Sequence, residues 1–290
     1  VVLGVFAYQD QKAGRFFFSR NDGLQNQAVL CVAASLAPSF AGEPRVLLDP
    51  NTLSKDGTVA LGDVSVSEDG KLLAYEVSEA GSDWTTVKIR DVDTGRDLAD
   101  RVEWVKFSQS SWTKDGRGFY YSTYPVHDTT GRVALKDQRL QFHGIGTPST
   151  ADRVVYVRPD HPDWGFAGKV TSDGEMLIVS IWQGTERKNR VYLRDLRAPG
   201  SAVLPFLDDF DAQYDFLAKA GSTLYFRTDL DAPRGRVIAI DLAHPERASW
   251  REIVPQSSDT LESALVAGGT LVCAYLKDAR SEVRVFDLAG

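Results

Sequence analysis

Apolar and polar positions alternate every second residue through most of this chain, in short runs separated by Gly, Asp, Asn and Pro. That period is the one a half-buried β-strand imposes, because successive side chains leave opposite faces. The stretch VSEDGKLLAYEV, Val66 to Val77, shows the unit: a polar turn centred on Asp69-Gly70, then a strand-like run. It returns as WTKDGRGFYYST around Asp115-Gly116 and as VTSDGEMLIVSI around Asp173-Gly174, and more loosely as QKAGRFFFSR, AKAGSTLYFRT and VAGGTLVCAYL. With Gly14, Gly70, Gly116, Gly174, Gly221 and Gly269 as equivalent turn positions, the six copies are spaced by 56, 46, 58, 47 and 48 residues. A repeat at that period takes precedence over any single motif.

Each copy continues past its first strand into a second, as in QAVLCVAAS, TTVKIRDVDTGR, QRLQFHGIG, NRVYLRDLRAPG, GRVIAIDLAH and SEVRVFDLAG. Often a third follows (PRVLLDP, DRVVYV, AVLPFL, WREIVPQ), and a short apolar segment precedes each turn (DVSVS, AGKVTS, ESALVAG). Four short antiparallel strands per 40–50 residues predict an all-β fold, a single β-propeller domain over residues 1–290 in which each sheet shields its neighbours. The blades are expected at about 5–50, 61–103, 104–157, 165–208, 213–255 and 261–290. The last lacks an outer strand, which Val1 to Leu3 could supply, leaving Val5 to Gln9 as the inner strand of the first blade. No long helical pattern competes; DAQYDFLAKAG is short and fits the approach to a turn.

Composition narrows the functions. Hydrophobic content of 43% and charged content of 25% describe a globular chain with ample core material. A net charge of −7 opposes long-range attraction to nucleic acid or anionic membrane, so neither partner is expected. No apolar run reaches the roughly 18 residues of a membrane span, and VVLGVFAYQD lacks the basic flank of a secretory signal, so a cytoplasmic location is expected, with the periplasm as the alternative. The absence of an initiator Met points to a fragment, a processed chain or unseen residues. Cys31 and Cys273 lie in strand-like runs and read as buried free thiols. His127, His143, His161 and His244 fall at no metal-ligand spacing, and one acid per Asp-Gly turn cannot supply the oxygens that calcium wants, so no metal and no cofactor are expected. GIGTPS at 144–149 lacks the third Gly and following helix of a dinucleotide loop and reads as a turn.

The segments NDGLQNQAVL (Asn21–Leu30), LLDPNTLSKDGTVAL (Leu47–Leu61), SEDGKLLAYEVSEAGSDWTTVKIRDVDTG (Ser67–Gly95), WVKFS (Trp104–Ser108) and YLKDARSEVRVFDL (Tyr275–Leu288) resemble the non-catalytic propeller of the prolyl oligopeptidases, in the same order from about Gly14 to Gly290. The resemblance implies a serine peptidase that cleaves short peptides after proline, in which an α/β-hydrolase domain is covered by a seven-bladed propeller that excludes large substrates. Its partners would be that hydrolase domain and short proline-containing peptides. No Gly-x-Ser-x-Gly nucleophile elbow occurs in these residues, so this chain alone is not expected to hydrolyse peptides. About one further family blade has no counterpart here, so the alternative is a self-standing propeller, natural or engineered, serving as a binding module or scaffold.

The resemblance also proposes substrate-contacting positions. The aromatic residue of VKFS is Phe107, which could equally fill space between strands. Trp164 is followed by Gly165 where the family often has Met, and Trp182, in SIWQG, stands where an Arg is usual; with Thr185 these complete the expected substrate-facing set. Trp in place of Arg exchanges a forked cation for a stacking ring with one donor. Asp83, in GSDW, would belong to a gating ion-pair network or cap a turn.

Overall fold

The structure is a computed structural model that describes residues 5–21, 23–34, 44–125 and 135–290. Its chain divides into two compact units, the first ending at Gly168 and the second spanning Lys169–Gly290.

In the first unit, β1 (Val5–Lys12), β2 (Arg15–Asn21), β3 (Val29–Ala33) and β4 (Arg45–Leu48) form one antiparallel meander. A second comprises β5 (Val59–Val66), β6 (Leu72–Glu79), β7 (Thr85–Asp91) and β8 (Asp97–Val105). The third contains β9 (Ser111–Trp112), β10 (Gly118–Thr123), β11 (Arg139–Gly144) and β12 (Arg153–Tyr156). The division between units falls within β13 (Trp164–Val170), which leads into β14 (Met176–Gln183), β15 (Asn189–Asp195) and β16 (Leu204–Leu207). In the second unit follow β17 (Tyr214–Ala220), β18 (Thr223–Thr228), β19 (Arg236–Asp241) and β20 (Arg251–Val254), then a three-stranded sheet of β21 (Thr260–Ala267), β22 (Thr270–Lys277) and β23 (Arg280–Asp287). The donated outer strand expected from Val1 to Leu3 lies outside the described residues.

The repeated phrase is a polar clasp. The Ser67 hydroxyl donates to Asp69 Oδ1 at 2.7 Å, the same carboxylate oxygen accepts the Lys71 N–H at 3.1 Å, and Gly70 closes the turn with φ +68°. Thr113, Asp115 and Arg117 repeat it, as do Thr171, Asp173 and Glu175. The side chains occupy backbone groups that a strand ladder would otherwise claim, and Gly takes the left-handed conformation without a Cβ clash.

Strand pairing explains why the sheets stack. In β6, Leu73, Tyr75 and Val77 face a core shared with Phe17, Leu30 and Leu48 of the first sheet, while the intervening Ala74 faces Phe119, Tyr121 and Trp112 of the third. In the second unit, Leu224 and Phe226 of β18 join the core with Ile178 and Val191, whereas Tyr225 joins Leu271, Cys273 and Tyr275. Central strands thus read as continuous apolar runs because both faces are covered. Both cysteines are free and buried. The last sheet departs from this: Leu265, Leu276, Val283 and Val285 are 53%, 42%, 61% and 62% exposed.

Side-chain amides staple neighbouring sheets at their edges. Gln27 donates to the Val59 carbonyl at 2.7 Å and accepts from the Leu61 N–H at 3.0 Å; Asn189 treats the carbonyl and N–H of Tyr214 alike, at 3.0 and 2.6 Å. Each amide presents a donor and an acceptor side by side, as a peptide group does. Replacing Asn189 with Ala should therefore strand two backbone groups and lower stability by about 2–3 kcal/mol. Asn189→Asp, which keeps only the acceptor, should lose roughly half of that; urea unfolding with an unchanged m-value is the check.

A buried charge cluster joins the second and third sheets. Fully buried His143 of β11 lies between Asp152, at 2.8 Å from Nδ1, and Asp100 of β8, at 3.1 Å from Nε2. Tyr121 Oη sits 2.7 Å from Asp152, and the Gly146 N–H donates to Asp100 at 2.6 Å. Two carboxylates facing both ring nitrogens favour the imidazolium. Burial alone would lower the imidazole, but hydrogen bonds to Asp152 and Asp100 outweigh it and hold the pKa above its usual value. A raised folded-state value stabilises fully below about pH 6.5 and is lost as pH climbs through it. Urea unfolding between pH 6 and 9 should show stability falling with pH. His143→Gln should make that slope shallower and cost about 3–5 kcal/mol at pH 6, because two buried carboxylates lose their cation.

Candidate functional site

The site grows out of the end of β8. Pairing between β7 and β8 slips between Thr85↔Val105 and Val87↔Val102, so Glu103 and Trp104 are accommodated opposite Thr86 as a bulge. Trp104 has φ +61° and Phe107 φ +54°, two bulky residues in left-handed backbone three positions apart. Such geometry is strained for a side chain with a Cβ and persists only where surrounding contacts impose it. It also shortens the expected inner strand of the third sheet to two residues. Ser108 Oγ accepts the Ser122 N–H at 2.7 Å, in place of a ladder bond, and Thr123 pairs instead with Val105, which fuses the second and third sheets.

Lys106, between the two strained residues, organises the cluster. Its ammonium lies 3.1 Å from Asp83 Oδ2, 5.3 Å from the centre of the Trp84 ring and 4.9 Å from that of Phe107. Trp84 meets Trp104 and Tyr124 edge-on at 6.2 and 5.6 Å. The Lys106 side chain is only 11% exposed, so its cation is held by a carboxylate and two ring faces rather than by bulk water. Phe107, by contrast, is 59% exposed and fills no core. Asp83 acts as the partner of Lys106; the turn cap is Ser82, whose hydroxyl accepts the Trp84 N–H at 3.0 Å.

Buried Gln138 connects this loop to the next. It donates to the Lys106 carbonyl at 3.2 Å and accepts from the Phe166 N–H at 2.5 Å, two residues beyond Trp164. Trp164 is buried, stacked on His161 at 4.0 Å and 8°, with the Arg158 guanidinium 4.6 Å from its ring centre. Arg158 in turn grips Asp160 through two hydrogen bonds of 2.8 and 2.7 Å, which hold that carboxyl down to about 2. Trp164 is therefore the base of a stack whose outer layers are His161 and Arg158. Trp182 and Thr185 belong to the second unit: Trp182 is half-buried and pairs with Asn189, and Thr185 is exposed in the β14–β15 turn.

The structure thus brings Asp83 and Phe107 together through Lys106, and ties Phe107 to the Trp164 segment through Gln138. Sequence reasoning passed over Lys106, Trp84, Trp104 and Gln138. For Gln138 a signal existed: Gln27, Gln138 and Asn189 each stand at or just before the third strand of their sheet. Among the described residues no group of three or more His, Cys, Asp or Glu could hold a metal ion.

The fold has close counterparts. The family model for the prolyl oligopeptidase N-terminal β-propeller domain matches residues 6–290. A prolyl endopeptidase from Elizabethkingia meningoseptica is 34% identical over 282 residues, 96% of this chain and 39% of that protein. Prolyl oligopeptidase A from Amanita bisporigera is 32% identical over 305 residues, 95% and 40% of the two chains. Among solved structures, a prolyl endopeptidase studied for inter-domain dynamics superposes with TM-score 0.87 at 35% identity, covering 99% of this chain and 40% of that one. Prolyl oligopeptidase B from Galerina marginata, bound to a 35-residue hydrolysis and macrocyclization substrate, gives 0.89 at 28% identity, with 99% and 43% covered. The chain spans about two fifths of the length of these relatives, and it belongs to the prolyl oligopeptidase family as the N-terminal β-propeller domain.

Proposed function

We propose that this propeller admits and orients short proline-containing peptides for an α/β-hydrolase domain of the same protein, and that these residues do not cleave them unaided. The family membership and the lack of a Gly-x-Ser-x-Gly elbow in the chain support this division of labour. The observation that carries the peptide-contact half is Phe107: a strained backbone holds a large ring out to solvent, over a lysine whose own charge is already occupied. An exposed, immobilised aromatic face is suited to a flat apolar group such as a pyrrolidine ring, because little conformational freedom remains to be lost on binding. Asp83, as the counter-ion of Lys106, sets the tilt of that ring and acts as the gating residue of the loop. Trp164 contributes the stacked base beneath His161; within the second unit, taken by itself, Trp182 offers a half-buried ring and Thr185 an exposed hydroxyl.

The test uses the purified chain and a short peptide with an internal proline. Mass spectrometry should find no cleavage, and tryptophan fluorescence should report weak saturable binding. Phe107→Ala should weaken that binding about tenfold, equivalent to about 1.4 kcal/mol. Proline-directed cleavage by the chain alone would sink the division of labour, and unchanged affinity in the variant would remove Phe107 from the site.

A further inference from the structure

One hydroxyl stands between two acceptors beside the candidate site. Thr85 Oγ1, on β7, lies 3.0 Å from Glu76 Oε2 on β6 and 3.2 Å from the Val105 carbonyl oxygen on β8. A hydroxyl carries one proton and gives it to one of them. Both contacts are full hydrogen bonds at once only if Glu76 is protonated, donating to Thr85 Oγ1 while Thr85 donates to Val105. The surroundings of Glu76 favour that neutral form. It is 7% exposed, stands alone opposite Gly62 and Asp63 at the bulge in β5, and its Oε1 has no partner among the described residues. The cavity it lines, about 10 Å³, has room for one water, too little to hydrate an ionised carboxylate. Facing it are Asp63, Val64 and Ser65 of β5, Thr85 of β7 and Ser110 of the segment before β9. Asp63 is the one charged group acting on it among the described residues; no Lys or Arg does. Burial, with the repulsion of Asp63 added, pushes Glu76 up to about 7 against the pull of the Thr85 hydroxyl, and burial raises Asp63 as well.

We propose that protonated Glu76 is a positioning residue for the Phe107 loop, acting through the Thr85 hydroxyl on the Val105 carbonyl. Val105 is buried, stands between left-handed Trp104 and Phe107, and pairs with Thr85 on one side and Thr123 on the other, so its orientation sets where the strained segment leaves the sheet. When Glu76 releases its proton to solvent, both carboxylate oxygens can only accept. The Thr85 hydroxyl then turns to the carboxylate, because a charge-assisted hydrogen bond is roughly twice as strong as a neutral one, and the Val105 carbonyl loses that donor. The loop is thereby held more firmly on the acid side of the Glu76 titration than on the alkaline side. Peptide contact by Phe107 is taken from the function proposed above, and the consequence for peptides rests on it; the relay from Glu76 to Val105 stands apart from that reading.

The full chain, labelled with carbon-13 and nitrogen-15, is titrated between pH 6 and 9 without peptide, and the Val105 carbonyl carbon is read by NMR through the Lys106 amide. In the wild-type chain it should move with one midpoint near pH 7, in the direction of a lost hydrogen bond. Glu76→Gln, whose amide donates to Thr85 but cannot ionise, should hold the carbonyl at its acid-side position throughout, and Thr85→Val should abolish the titration. The His143 cluster is untouched in both variants, so its own protonation does not account for the difference. A wild-type carbonyl that does not titrate, or one that titrates unchanged in Glu76→Gln, would overturn the relay. Affinity for a short proline-containing peptide should fall about threefold from pH 6 to pH 9 in the wild-type chain and stay constant in Glu76→Gln. A constant wild-type affinity would overturn the positioning role. Absence of peptide binding at either pH would instead strike the function proposed above, and the carbonyl would still decide the relay.

Discussion

Everything in this chain depends on a sheet of four short strands having two apolar faces. Tyr75 and Ala74 are adjacent in β6 and both buried, yet they belong to different cores on opposite sides of the same sheet. The same alternation holds for Phe226 and Tyr225 in β18, and for Ile238 and Ala239 in β19. No such sheet can stand alone in water, since each large side chain buried against a neighbour contributes roughly 1.5–3 kcal/mol. Stacking of consecutive sheets follows from this, and a β-propeller domain is the architecture that repeats it. The exposed valines of β23 mark a place where, among the described residues, that requirement is unmet.

With the packing supplied by apolar side chains, the polar groups at the sheet edges are free to specify how sheets are set against each other. Gln27, Gln138 and Asn189 act as extra peptide groups between sheets, and His143 with its two carboxylates fixes one outer strand to the next sheet. These contacts add directionality that burial lacks. They also transmit position: the amide of Gln138 holds both the carbonyl before Phe107 and the N–H near Trp164, so the two aromatic loops are placed by one buried side chain.

The candidate site lies where the regular ladder is broken. The bulge at Glu103 and Trp104, with left-handed Phe107 beyond it, converts the end of an ordinary strand into a strained loop carrying an ammonium and an exposed ring. The bulge at Gly62 and Asp63 places two residues opposite Glu76 alone in the same sheet. In both cases an additional residue redirects side chains that strict alternation would have sent elsewhere.

The sequence alone determined the strands, the turns between them and the all-β class, because period-two patterning and Asp-Gly turn chemistry act over a few residues and are written locally. It also carried the family resemblance, through motifs such as GSDW and WVKFS. Only the tertiary structure decided what the motif residues touch: that Asp83 pairs with Lys106 rather than capping its turn, that Trp164 lies beneath His161 while Phe107 stands in solvent, and that Asp100 and Asp152 close on His143 from 43 and 9 residues away. The physical reason is register. A slip of one residue at a bulge exchanges the two faces of a strand, and the bulge at Glu103 and Trp104 has no compositional mark, since its left-handed position is held by Trp instead of the Gly that would have announced it.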